Sequence, residues 1–116
     1  MALANQILDY AAVQTWVSGL REQWGEEPSD LDVRLAVLRR FCEFVERDPD
    51  AVIAESCREV EGGKRIRIKM RRHYTEKIAE FQAALPGDAR AQGRAGNTVR
   101  SFFIHNGIFM QAGLAE

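Results

Sequence analysis

Six cations crowd into nine residues at Lys64, Arg65, Arg67, Lys69, Arg71 and Arg72. The chemistry that such a density of ammonium and guanidinium groups best suits is the neutralisation of phosphate, where each contact releases a counterion and binding becomes salt-dependent. A second, sparser series follows at Arg90, Arg94 and Arg100, interleaved with Gln92, Asn97 and His105. Arg reads guanine through two parallel hydrogen bonds, and Asn or Gln does the same for adenine. Most contacts of this kind position the nucleic-acid backbone and do not specify a base. The competing reading of the first cluster is a solvated face whose charge serves solubility alone.

Other chemistry is not visible. The chain has no Gly-x-Ser-x-Gly, no Gly-x-x-x-x-Gly-Lys-Ser/Thr loop and no His-Glu-x-x-His, the patterns that mark common nucleophile, phosphate-loop and zinc sites. Cys42 and Cys57 stand at no recognised metal spacing from His73 and His105, so they read as free thiols and no metal or cofactor is expected. Tyr10 and Tyr74 both fall on apolar stripes, where a tyrosine is a core residue. The expected activity is therefore binding, not catalysis.

A length of 116 residues fits one domain, expected over 1–110 with 111–116 as the start of a linker or tail. A hydrophobic content of 46% is that of an ordinary globular protein. No apolar run approaches the roughly 18 residues of a membrane span, and the first residues lack the pattern of a signal peptide, which predicts a cytoplasmic protein without membrane contact. The net charge of −1 conceals a division. Residues 1–60 hold 6 Lys/Arg against 12 Asp/Glu, and residues 61–116 hold 10 against 5. A basic patch on a neutral protein still attracts phosphate, because attraction follows the local potential.

The elements that must position these groups are helical by periodicity, which predicts an all-α fold, a compact bundle of four to five helices. Tyr10, Val13, Trp16, Val17 and Leu20 form the stripe of a first helix from Asp9 to Trp24, broken by Gly25 and Pro28. Ser29 or Asp30 is placed to cap a second helix whose apolar face runs from Leu31 through Leu35, Leu38, Phe41 and Cys42 to Val45. Asp48-Pro49 opens a short third helix to Glu59, ended by Gly62-Gly63. The next segment is ambiguous. Arg65 to Arg71 alternates apolar and basic residues as a strand does, and Gly62-Gly63 suits a hairpin turn, yet Met70, Tyr74, Ile78, Phe81 and Leu85 keep helical spacing. The assignment is a helix over Ile66–Leu85, on which Arg65, Lys69 and Arg72 would face a partner together. Asp88 caps a last helix to Asn106, with Val99, Phe102 and Phe103 inward, Arg100 outward and Asn106-Gly107 as its left-handed stop. His105 reads as a surface or capping residue, and the stretch from Phe109 as the beginning of a linker.

A family resemblance rests on three of these segments. Thr98-Val99-Arg100-Ser101-Phe102-Phe103 followed by Asn106-Gly107-Ile108 resembles the close of the N-terminal, SAM-like core-binding domain of tyrosine recombinases, the phage-type integrases. Val33 to Phe44, with its Phe41-x-x-Phe44 pair, is similar to the family's second helix, and Asp48 to Glu55 to its short third helix. The resemblance implies a SAM-like helical domain that binds double-stranded DNA in integration and recombination. It also implies a clamp closed around the duplex with a separate catalytic domain, and protomer contacts on DNA. The DNA contacts would come from Lys64, Arg65, Lys69, Arg72, Arg94, Asn97 and Arg100. The two Arg, the His-x-x-Arg segment and the terminal nucleophilic Tyr of the family's catalytic domain have no counterpart here, so the chain would be an excised domain or a truncated product. An alternative expectation is a protein-interaction module, anchored by Trp16 or Trp24 within the acidic half.

Overall fold

The computed structural model describes Leu3 and residues 5–110. A 3-10 turn at Ile7–Asp9 leads into α1 (Ala11–Trp24), α2 (Leu31–Val45) and α3 (Pro49–Ser56). An antiparallel hairpin of β1 (Cys57–Val60) and β2 (Gly63–Ile66) follows, and then α4 (Ile68–Ala84) and α5 (Ala89–His105). The fold is mostly helical, as periodicity predicts, but the hairpin corrects the all-α expectation. It replaces the last turn expected of the third helix and the first residues expected of the fourth. Gly62 and Gly63, at φ 90° and 146°, supply the positive backbone angles that close so short a turn. Cys57 faces Ile66 across the ladder, both half-buried against the core. The Arg67 N–H then donates to the Ser56 carbonyl at 2.8 Å, extending the pairing by one residue before α4 begins.

The helix ends show how much of the folding information is tertiary. Asp48 and Asp88 cap α3 and α5 from within, accepting from the N–H groups of Ala51 and Ala91 at 2.7 and 2.8 Å. Asp30 sits at the α2 N-cap but does not cap. Its backbone, at φ −103° and ψ 24°, is not extended, and its carboxylate instead takes the Arg34 Nε at 2.9 Å. That bond holds the Asp30 carboxyl below the usual carboxylate range. α1 has no side-chain cap of its own. Its first amides, from Ala11 and Ala12, donate to Asp50 of α3 at 3.3 and 2.7 Å.

At the far end of α5 the stop is Gly107 alone, with φ 87°. Gly107 and Ile108 donate to the Ile104 and Phe103 carbonyls at 3.0 Å, the paired bonds of a Schellman cap. Asn106, at φ −97°, is not left-handed. Its amide instead ties α5 to the start of α1 by donating to the Ala12 carbonyl at 3.0 Å.

The core lies between α1, α2, α4 and α5. Phe41 is its hub, with ring centroids 5.5 Å from Phe81, 6.3 Å from Phe103 and 6.5 Å from Tyr74. Trp16 meets Phe102 edge-on at 5.7 Å and satisfies its indole N–H on Ser101 Oγ at 3.1 Å. The Phe102–Phe103 pair is fully buried, as expected. So is Ile108, and Met110 is 4% exposed, so the chain remains part of the core beyond Phe109, where a linker was expected to begin. The tail expected over 111–116 lies outside the described residues.

Candidate nucleic-acid interface

The hairpin and the start of α4 together form a cationic edge. Lys64 and Arg65 stand on β2, and Lys69 and Arg72 on the first turns of α4, all four exposed. They are brought to one edge of the fold but not to the single helical face that the sequence predicts, because Arg65 belongs to the strand and its neighbour Lys64 points to the opposite face of the hairpin. Pairing adds a fifth group that the sequence reading left out. Arg58 of β1 lies directly opposite Arg65, a like-charge arrangement that weakens a ladder. Among the described residues, none of Arg58, Lys64, Arg65, Lys69 and Arg72 takes part in a salt bridge or side-chain hydrogen bond. The signal for Arg58 lay in the hairpin alternative, since a two-residue turn at Glu61-Gly62 fixes which residue faces Arg65.

Local structure compensates these charges only in part, since Glu59 lies directly opposite Lys64 across the ladder but forms no salt bridge with it among the described residues. The α4 N-terminus has neither an acidic residue in its first turn nor a side-chain cap, and its dipole opposes cations there. From Arg58 to Arg72 the chain holds seven cations against two acids, Glu59 and Glu61. Arg67 is withdrawn from this set by a bond from Nη1 to the Glu55 carbonyl at 3.3 Å. A cleft of about 380 Å³ opens beside the edge, where Arg58, Glu59 and Lys64 of the hairpin face Thr15, Asp50 and Asn106 of the helical body.

The α5 candidates divide. Arg94 and Asn97 are exposed and line a groove of about 400 Å³ between α5 and α2, opposite Val33, Arg34 and Val37. Arg100, expected to point outward, is only 8% exposed. It is drawn in by position, since it shares the α5 face of Gly96, Val99 and Phe103. Its Nη1 donates to Asn97 Oδ1 at 2.9 Å, so it orients Asn97 from beneath. No residue lines both the hairpin cleft and the α5 groove. His105 is half-buried, packed on Gly19 and 3.1 Å from Gln23 Oε1, so it joins α5 to α1.

The remaining reactive groups belong to the body. Tyr74 donates to Glu55 Oε1 at 2.7 Å, and the other oxygen of Glu55 holds Arg47 at 2.8 Å. Burial, and then the bond to Glu55, raises the Tyr74 phenol well above its ordinary value. Burial likewise pushes the Cys42 thiol up to about 12. Both groups are thus held neutral and unreactive at physiological pH. Among the described residues no cluster of three or more His, Cys, Asp or Glu is placed to hold a metal ion, and no helix is long and apolar enough to cross a membrane. Searches of family models, curated proteins and solved structures find no match to this chain.

Proposed function

We propose that this chain is a double-stranded DNA-binding module of the core-binding kind that its sequence resembles, serving a site-specific recombinase whose strand-transfer chemistry resides in a catalytic domain outside these residues. The observation that carries the reading is the exposed edge of Arg58, Lys64, Arg65, Lys69 and Arg72, none in a salt bridge among the described residues and only Lys64 set opposite an acid, Glu59. Cations opposed to each other across a hairpin, and set against a helix dipole, lower the stability of the isolated protein. A polyanion that brings phosphates between them relieves both costs. Arg94 and Asn97, with Arg100 orienting Asn97, supply a second contact in this reading.

The test is a fluorescence-anisotropy titration of a labelled duplex at several salt concentrations. Four to five phosphate contacts predict a slope of log K against log salt of about −4. Replacing Arg65, Lys69 and Arg72 together by Glu weakens binding at least about a hundredfold, or about 2.7 kcal/mol. Absence of binding at low salt, or a triple variant that binds as well as the parent, would overturn the proposal. A protein-interaction reading is favoured by one observation, the 59% exposure of Trp24 among Glu22, Glu26 and Glu27, whereas Trp16 is buried. In that case a Trp24→Ala variant loses self-association or partner capture in sedimentation while DNA has no effect.

A further inference from the structure

The two most exposed large apolar side chains among the described residues lie at the start of α4 and just beyond α5. Ile68, the first residue of α4, is 65% exposed, and Phe109 is 64% exposed. Ile68, Arg72 and Thr75 recur at the spacing that places them on one helical face. The Thr75 hydroxyl lies 3.5 Å from Met110 Sδ, so the segment carrying Phe109 is fixed beside that face, with Ile108 anchoring it in the core. From Ile68 to Thr75 the helix rises only about 10 Å. Ile68 thus opens a short run of Lys69, Arg71 and Arg72 next to the Arg58–Arg65 pair, and the segment carrying the bare Phe109 reaches the same helix two turns on, at Thr75.

Cations recruit a polyanion, and the apolar side chains must then meet an apolar part of it. In a nucleic acid that part is the face of a base, reached when a side chain enters between two steps and partly unstacks them. An anionic lipid surface also offers both chemistries, but α4 does not suit it. Beyond Thr75 the exposed side of the helix turns acidic at Glu76 and Glu80, so it presents its first turns end-on and does not lie flat.

We infer that Ile68 and Phe109 act as apolar wedges that kink the duplex held by the cationic edge. This rests on the DNA-binding reading, and it makes deformability part of target choice. Pyrimidine–purine steps unstack most easily, so duplexes carrying a central TA step are preferred over those with an A-tract at the same place.

The test pairs anisotropy with end-to-end energy transfer on doubly labelled duplexes of about 25 base pairs, short enough to resist smooth bending. The full chain is expected to bind and to raise transfer, more for the TA duplex than for the A-tract duplex. The Ile68→Ala/Phe109→Ala variant is expected to retain binding within about tenfold while losing the rise in transfer, since wedge contacts contribute less than phosphate contacts. Its melting temperature serves as the folding control, because both side chains are exposed. Binding without any rise in transfer, or a rise that survives the double substitution, overturns the wedge and leaves the DNA reading standing. Absence of duplex binding overturns both. Binding to phosphatidylserine vesicles, lost in the same double variant, with none to duplex, assigns the edge to lipid and likewise overturns both.

Discussion

The cationic edge and the helical body use the same residue types to opposite ends. In the body, most buried charged and polar groups are paired, Gln82 Oε1 being the exception among the described residues. Arg100 rests on Asn97, Glu55 joins Tyr74 to Arg47, Asp50 caps α1 and Asn106 bonds the Ala12 carbonyl. At the edge, Arg58, Lys64, Arg65, Lys69 and Arg72 have no partner within the described residues. Burial makes this difference. A guanidinium taken out of water must find acceptors or destabilise the fold, whereas one left in water is free to wait for a ligand. Substitutions in the body should therefore move stability, and those at the edge should move binding.

The largest effect on stability is expected at Arg100. Arg100→Ala removes a buried guanidinium and its packing and leaves Asn97 without its partner, at a cost of about 2–3 kcal/mol. Chemical denaturation measures this, and a loss below about 0.5 kcal/mol would place Arg100 functionally with the edge. Next comes Asp50→Ala, which strips α1 of a cap supplied from α3. The expected loss is about 1–2 kcal/mol, read by chemical denaturation.

Tyr74→Phe is expected to cost about 1 kcal/mol at neutral pH through the bond to Glu55. Its pH profile is the sharper readout. The folded Tyr74 and Cys42 titrate above their ordinary values of 10.0 and 9.0. Their contribution is therefore complete below pH 9 and is lost as pH rises through the folded values. Unfolding free energy measured from pH 8 upward should fall for the parent beyond pH 9 and fall less steeply for Tyr74→Phe. The smallest effect is also the most diagnostic. Arg58→Thr relieves the like-charge pair with Arg65 and should stabilise the protein by about 0.5 kcal/mol while weakening duplex binding severalfold. A change of the same sign in both measurements would break the contrast between edge and body.

How far these two regions can be read from sequence differs for the same physical reason. Helical spacing exposes the body: Val13, Trp16, Val17 and Leu20, or Tyr74, Ile78 and Phe81, are core because a period of 3.6 leaves one face to bury. The caps at Asp48 and Asp88 are equally legible, since both bonds are made within four residues. The hairpin is less so, because Arg65 to Met70 satisfies both periods. The choice depends on whether Cys57 and Ile66 can share a partly buried face.

Sequence by itself determined the helical body, its aromatic core and the charge density from Lys64 to Arg72, all of which rest on local spacing. Tertiary structure decided that the hairpin forms in place of helix, setting Arg58 opposite Arg65, and that Asp50 caps α1. The cap joins residues 39 positions apart, and the hairpin depends on Cys57 and Ile66 sharing a partly buried face, so no local periodicity encodes either.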